Sequence, residues 1–485
     1  THMLGMQRRL STPFLVLLTL PATAMGFALS VQISALSWIL STRYGLDLHD
    51  IGLVWAAGPL AGIVGQVLIG ILSDEVWLWG GRRRPFLIIG GTLAALMLLA
   101  LPSIGVISER LGFDGILGVA IAVAIALDLS INVSFNPARS LITDVTPEGA
   151  ERTRGYTWMQ TVSGSFGVLA YAIGAAFGNV ALIYVGAVIV LLFSLLPVFV
   201  VTEPRQLPRI ESSGGERTSV GSVLRLIEPL WAFLLYDIVA MSLRLAGITP
   251  TGYGLEIAFG TLAAVLIWRA LRVRPQGVRV ADDYADYRKV LAANSLSWIG
   301  MQTLFVYMIA FAQQRFPTLG ADDVGKVLSM SFLALNAVAA LLPALVLLPL
   351  ARRFGEVRVH AISLATMAVA FAGIYLFARS PLVLYALMAL LGIGWAAMVS
   401  LPFSIMSQRV DPARIGLYMG VFNLSIVLPQ LVVSLGVGRF ISGATDKGLI
   451  FLIGAASMAF SAIAWRSVAS RNRAIVGTTV ELRSH

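Results

Sequence analysis

The chain has 485 residues, of which 58% are hydrophobic and 12% charged, and its mean hydropathy is +0.84. A water-soluble fold could not bury that much apolar surface, since ordinary globular chains are about a quarter charged. The net charge of +10 is nearly all Arg, with Lys289, Lys326 and Lys447 the only lysines, and it gathers in loops between apolar segments. That pattern argues against a nucleic-acid surface and fits the positive charge that membrane proteins keep on cytoplasmic loops. Cysteine is absent, so disulfides and thiolate metal sites are excluded. Four histidines are present; His2 and His485 lie at the chain ends, and His49 and His360 are far apart in sequence, so no metal and no cofactor is expected.

A helix needs about 20 apolar residues to cross the hydrocarbon of a bilayer. Six such segments come first, at roughly 13–41, 50–73, 86–107, 115–142, 157–178 and 180–201. Two more follow at about 226–247 and 252–271. Six close the chain at 291–315, 325–350, 358–379, 381–406, 416–440 and 447–468, which makes fourteen. The first segment is of full spanning length without a clear cleavage site, so no signal peptide is expected, and Thr1-His2-Met3 reads as a cloning remnant.

Loop charge sets the orientation. Arg8 and Arg9 place the N-terminus in the cytoplasm, and the loop from Thr42 to Asp50, where Asp47 and Asp50 offset Arg43, falls outside. The arginines at 82–84, the polar stretches 203–225 and 272–289, and the C-terminus then all fall inside. The fold class is an all-α polytopic membrane protein. It is expected to comprise an N-terminal six-helix bundle (1–202), a cytoplasmic linker with an extra hairpin (203–289, hairpin about 226–271), a C-terminal six-helix bundle (290–470) and a cytoplasmic tail (471–485). Short outside loops on an Arg-rich, Cys-free chain point to a bacterial inner membrane, and a monomer surrounded by lipid is expected.

The two halves echo one another. Gly70-Ile-Leu-Ser-Asp74 followed by Gly80-Gly-Arg-Arg-Arg84 has a counterpart in Pro349-Leu-Ala-Arg-Arg-Phe-Gly355. Internal repeats of this kind place a substrate site between the halves at mid-membrane. Asp74, Arg82, Arg83, Arg84 and Asp144 form a candidate cytoplasmic gate, because ion pairs at domain interfaces can be rearranged in switching; the alternative is that the arginines only set topology.

Asp128 is the most informative single residue, as it sits inside the apolar run Ile116 to Leu129. A charged, unpaired carboxylate at the bilayer centre costs at least several kcal/mol, roughly, and such residues mark proton, ion or substrate paths. Asn132 lies one turn further along and Arg139 about three turns, so the three form a polar stripe on one helical face. Removal from water favours the neutral carboxyl, so Asp128 can carry a proton and bond a sugar hydroxyl. Other polar or aromatic residues inside spans are candidate sugar ligands: Gln32 and Gln66, Trp158 and Gln160, Trp298, Gln302 and Tyr307, and Asn423 and Gln430. Each is also open to a plain helix-packing reading. Within the extra hairpin, Asp237 and Arg244 are seven residues apart on one face and are expected to pair structurally.

The Gly70 to Arg84 element reads as the cytoplasmic loop signature of the major facilitator superfamily. Taken with Trp55-Ala-Ala-Gly-Pro-Leu-Ala-Gly62, Leu127-Asp128, Pro137-Ala-Arg139-Ser-Leu-Ile-Thr-Asp144, Ser400-Leu-Pro-Phe403 and Gly416 to Gln430, the chain resembles the proton-coupled sucrose transporters of plants and related animal and bacterial sugar carriers of the glycoside-pentoside-hexuronide type. The resemblance implies the major facilitator fold, Asp128 as the proton site and Arg139 as its functional partner. The chain departs from the plant pattern at Met308 to Arg315, where acidic and basic residues give way to apolar ones and Gln, and in the added hairpin.

The expected function is proton-coupled symport of a sucrose- or maltose-like sugar, driven by the proton gradient. Rivals are a uniporter or exporter of another small solute, or a non-transporting membrane sensor or assembly factor. No Ser/His, paired-Asp or metal constellation sits at helix depth, so enzyme activity is not expected.

Overall fold

The computed structural model describes residues 5–147, 150–205, 219–410 and 415–470, and every named element is helical. The expected tail at 471–485 and much of the polar stretch 203–225 lie outside the described residues, as do the side chains of Gln66 and Asp74.

In the first half, α1 (Thr12–Thr42) leads to α2 (Leu48–Trp55) and α3 (Ala57–Glu75), then α4 (Arg84–Ala100), α5 (Leu117–Val145), α6 (Ala150–Phe177) and α7 (Asn179–Val200). The hairpin is α8 (Trp231–Leu245) and α9 (Gly254–Leu271). The second half comprises α10 (Arg279–Arg315), α11 (Ala321–Leu342), α12 (Glu356–Phe377), α13 (Pro381–Ser407), α14 (Ile415–Val432) and α15 (Leu449–Trp465). Helices dominate because backbone polar groups in hydrocarbon must be satisfied within the segment itself. In the first half α1 packs on α6 and α7, and α4 on α5 and α7; in the second, α10 packs on α15, α12 on α13 and α15, and α11 on α13.

Among the described residues, ten helices are long and apolar enough to cross a membrane. The count becomes eleven if Val220–Leu226 and Glu228–Leu245, bent by 67°, form one span. Leu48–Ile63 and Leu449–Trp465 are apolar but shorter. Length and composition thus support ten or eleven crossings, where the sequence reading counts fourteen. The protein is a multi-pass integral membrane protein.

The end of the first half that carries the arginine loop is tied together by one carboxylate. Glu203 Oε2 accepts the backbone N–H groups of Arg82 (2.6 Å) and Arg83 (2.8 Å), and Oε1 accepts that of Arg84 (3.0 Å). These N–H groups lie at the start of α4, where they have no partner inside the helix, and the helix dipole favours an anion there. Gly81 makes the approach possible, since a Cβ on it would come within 2.4 Å of Glu203 Oε1. The Arg83 side chain, 4% exposed, reaches Asp144 Oδ2 at 2.8 Å and the hydroxyl and carbonyl oxygens of Ser73 at 2.8 and 3.0 Å. The loop, the end of α3 and the end of α5 are therefore one bonded unit. In the second half the partners differ: Glu356 accepts from Ser404 and Gln408, both at 2.7 Å, and Arg409 faces Asp286 at 3.5 Å.

Glu203→Ala leaves three N–H donors without their acceptor, and a loss of about 2–4 kcal/mol is expected. Thermal unfolding in detergent should show a lower midpoint for Glu203→Ala and a partial recovery in Glu203→Gln; an unchanged midpoint would remove Glu203 from the fold argument.

Candidate functional site

The carboxyl of Asp128 is buried among three helices. Its residue is 5% exposed, and its Oδ1 accepts the Gln32 side-chain amide of α1 at 3.0 Å. From α3, Gly58 faces it so closely that a Cβ would sit 3.4 Å from Oδ2. A larger residue at 58 would press on the carboxylate, so the Gly-Pro at 58–59, next to the junction of α2 and α3 at Ala56, gives it room. Gln32 can serve as the donor because its amide carries both donor and acceptor groups. The Asp128–Gln32 pair thus joins two of the candidates read from the sequence.

The rest of the polar stripe on α5 does not converge on the carboxyl. Asn132 donates to the backbone oxygen of Asp128 at 2.8 Å, which ties the amide to its own helix. Arg139 is exposed, and its guanidinium stacks over Phe135 at 4.0 Å. Gln160 is exposed, while Trp158 packs on the apolar cluster around Phe14 and Met159.

The candidates of the second half sit on α10 and α14. Gln302 donates to Ser434 at 3.3 Å, and Tyr307 donates to the carbonyl of Val433 at 3.0 Å. That carbonyl lies in a π-turn, Val433–Val437, that follows Pro429 and continues into Gly438–Gly443. The wider turn loosens the helical ladder, so this carbonyl can also accept from a side chain. Asn423 and Gln430 are half-buried on the same helix. Trp298 stands edge-on to Trp395 (5.6 Å between rings), which stands edge-on to Phe305 (5.5 Å). The indole N–H of Trp298 is buried without a hydrogen-bond partner. An apolar platform with an unused donor suits the C–H face and the oxygens of a sugar ring.

The two halves are joined on the side of the Thr42–Leu48 loop. Asn179, at the start of α7, donates to the carbonyls of Ser34 (3.0 Å) and Gly325 (3.3 Å) and accepts from Ser34 (3.0 Å) and Ser329 (2.7 Å). Ser34 and Ser329 are themselves 2.6 Å apart. Nearby, Ser37 bonds the carbonyl of Val306 and Trp38 that of Ala321, both at 2.7 Å. Small residues let the backbones meet: a Cβ on Gly52 would lie 2.4 Å from the Ser434 carbonyl, and one on Gly438 2.7 Å from that of Leu48. This neutral seal was missed as a unit by sequence reasoning. Asn179 follows Gly178 at a helix start and reads there as an ordinary cap; the sole signal was Ser34 inside an apolar span.

The hairpin corrects another expectation. Asp237 and Arg244 do not pair. Arg244 instead reaches Asp50 at 3.0 Å and the ring of His49, while both carboxyl oxygens of Asp237 are buried and unbonded. Seven residues along a helix share a face, but Arg244 sits at the helix end, where its long side chain finds the start of α2. The hairpin also lies against both halves, through Leu53 and Ala56 on one side and Leu431 and Leu435 on the other.

The sequence profile of the Major Facilitator Superfamily matches residues 18–434. The chain is 25% identical over 458 residues to sucrose transport protein SUC4 of Arabidopsis thaliana, covering 87% of this chain and 83% of that protein. It is 24% identical over 467 residues to sucrose transport protein SUT2 of Oryza sativa subsp. japonica, covering 86% and 84%. Among solved structures, the inward-open xylose transporter XylE from E. coli superposes with a TM-score of 0.60 at 15% identity, over 95% of this chain and 97% of that one.

The seal invites a direct test, since a chain without cysteine allows single-cysteine labelling without background. Asn179→Ala removes several hydrogen bonds worth about 0.5–1.5 kcal/mol each. A cysteine at Ser30, buried one turn below the seal, should react with a membrane-impermeant maleimide from the loop side on the order of tenfold faster in that background. An unchanged rate would show that the apolar contacts close this end by themselves.

Proposed function

Since the chain belongs to the Major Facilitator Superfamily, we propose that it is a secondary transporter that carries a sugar of the sucrose type together with a proton. The observation that carries this reading is the Asp128 carboxyl, buried at the middle of α5 and held by Gln32. Its setting in a chain whose relatives include sucrose transport proteins of two plants supports a sugar as the cargo.

The proposed cycle uses what lies around Asp128. Charged, the carboxylate is tolerable in the low-dielectric interior only while Gln32 bonds it. A proton removes that charge and frees the amide of Gln32, so that a sugar hydroxyl can be received between α1 and α5. Trp298, Trp395 and Gln302 offer the opposite wall from α10 and α13. Joint occupancy by proton and sugar favours the alternative packing of the halves, in which the Asn179 seal opens; each ligand can shift the equilibrium only by its differential affinity for the two packings. With both termini read as cytoplasmic from the loop arginines, the seal is the outer gate of the proposed cycle.

Uptake of labelled sucrose into proteoliposomes tests the reading. The wild type should accumulate sugar when the outside is acidic and only equilibrate without a gradient, and Asp128→Asn should lose the accumulation. Gln32→Leu removes one hydrogen bond to a charged group and should cost about tenfold in kcat/KM, equivalent to about 1.4 kcal/mol. Flux that ignores the gradient would eliminate proton coupling, and an absence of flux with any sugar would eliminate sugar as the cargo.

A further inference from the structure

Asp237 is a buried acid that the proposed cycle leaves unused. It stands near the middle of α8, 6% exposed, and both of its carboxyl oxygens are buried without a hydrogen-bond partner. The charged and titratable groups of the surrounding elements are engaged elsewhere. On α8 itself, Tyr236 donates to Glu256 at 3.1 Å, and Arg244 reaches Asp50 and His49 at the start of α2. On α9, Glu256 also lies 3.6 Å from Arg439, which follows α14 and donates to the carbonyls of Pro250 and Gly252. Asp47 accepts the backbone N–H of Asp50 at 2.8 Å, and Tyr307 of α10 donates to Val433. An ionised carboxylate in hydrocarbon is costly without a partner, so Asp237 is neutral in this packing and holds its proton.

The place of Asp237 makes that proton conditional. Ala240, Met241 and Arg244 share its face of the helix. Ala240 and Met241 pack with Leu53 and Ala56 of the first half and with Leu431 and Leu435 of the second. That face therefore covers the seam between the halves, beside the point where a Cβ on Gly52 would meet the Ser434 carbonyl. The hairpin is fixed chiefly to the second half. Tyr236 lies so close to Gly436 that a Cβ there would be 2.2 Å from the hydroxyl, Arg439 holds the hairpin tip, and Glu228, just before α8, accepts from Arg288 of α10 at 2.5 Å. Among the described residues, its charged tie to the first half is Arg244. When the halves part at the seal, the hairpin stays with the second half and this face loses α2 and α3. Asp237 then meets water.

We infer that Asp237 is a second proton-binding site of this chain, whose carboxyl takes a proton from outside water as the seam closes over it and returns it as the seam opens. Its role rests on the alternation of the halves proposed above, whatever the solute is. The proton enters and leaves on the same side, so it is not cargo; it sets how readily the outer gate opens. The sealed packing binds one proton more than the open one, so acid stabilises the seal and rising pH releases it. His49 responds with the opposite sign. Arg244 can only donate, so His49 Nε2 accepts and the ring is neutral. Burial and then the Arg244 guanidinium hold its pKa below the ordinary histidine value. Acid charges the ring, sets it against Arg244 and loosens the contact.

Labelling of Ser30→Cys by an impermeant maleimide, in right-side-out vesicles without sugar, tests this. Every protein carries Asp128→Asn, which removes the titration of the other buried acid. The rate with Asp237 in place is divided by the rate with Asp237→Asn, so the pH dependence of the thiol and of His49 cancels. As the pH is raised from about 6 to about 8 that ratio should climb, by up to about tenfold per unit for one linked proton. A ratio that stays flat or falls would overturn the proposal. Infrared spectroscopy gives a second reading that needs no opening of the seal. In the Asp128→Asn protein the C=O band of protonated carboxyls at neutral pH should lose intensity when Asp237→Asn is added, and an unchanged band would overturn the proposal too. Neither measurement uses sugar flux, so both are decided separately from the symport reading, which rests on uptake.

Discussion

Polar groups that this chain carries into hydrocarbon must find their partners inside the protein, because the lipid offers none. That requirement explains the helices, and it explains with equal force where the helices deviate. The π-turn of α14 loosens a backbone carbonyl at Val433, and Tyr307 is there to bond it. The break between α2 and α3 comes at Ala56, beside Gly52 and Gly58, where one helix meets Ser434 and the other meets Asp128. At these two places the irregular backbone lies where another helix or a polar side chain closes over it.

The same requirement separates two kinds of polar contact. Full charges are used at the arginine loop, with Glu203 on three N–H groups and Arg83 on Asp144, and in the second half, with Arg409 on Asp286. All of these stay within one half, so they hold each bundle rigid. At the seal, among the described residues, the bonds across the halves are neutral and come from Ser, Asn, Trp and backbone carbonyls. Neutral hydrogen bonds contribute about 0.5–1.5 kcal/mol net, which suits a surface that must part and close again. Charged contacts within a half and neutral contacts at the seal are what the proposed alternation would use.

Asp128 was legible because a carboxylate in an apolar run stands out by composition, whatever surrounds it. Gln32 was legible only as one polar residue among several; its choice as partner follows from how α1 crosses α5. Asn132 and Arg139 show the limit of helical periodicity. They share a face with Asp128, yet Asn132 turned back to its own helix and Arg139 went to Phe135. Asp237 and Arg244 show the same limit, since a common face does not bring side chains together when another helix offers one of them a nearer partner.

The sequence by itself determined that the chain lives in a membrane, that its arginines gather between apolar segments and that Asp128 is its exceptional charge. These are properties of composition and spacing, which every conformation of the chain shares. Tertiary structure alone decided that Asn179, Ser34 and Ser329 meet, that Glu203 caps α4, and that the hairpin packs against both halves. Each joins residues from separate helices, with Ser34 and Ser329 nearly three hundred positions apart. Such pairings depend on the rotation and crossing of whole helices, which the packing of small residues such as Gly52, Gly81 and Gly436 sets and no local pattern records.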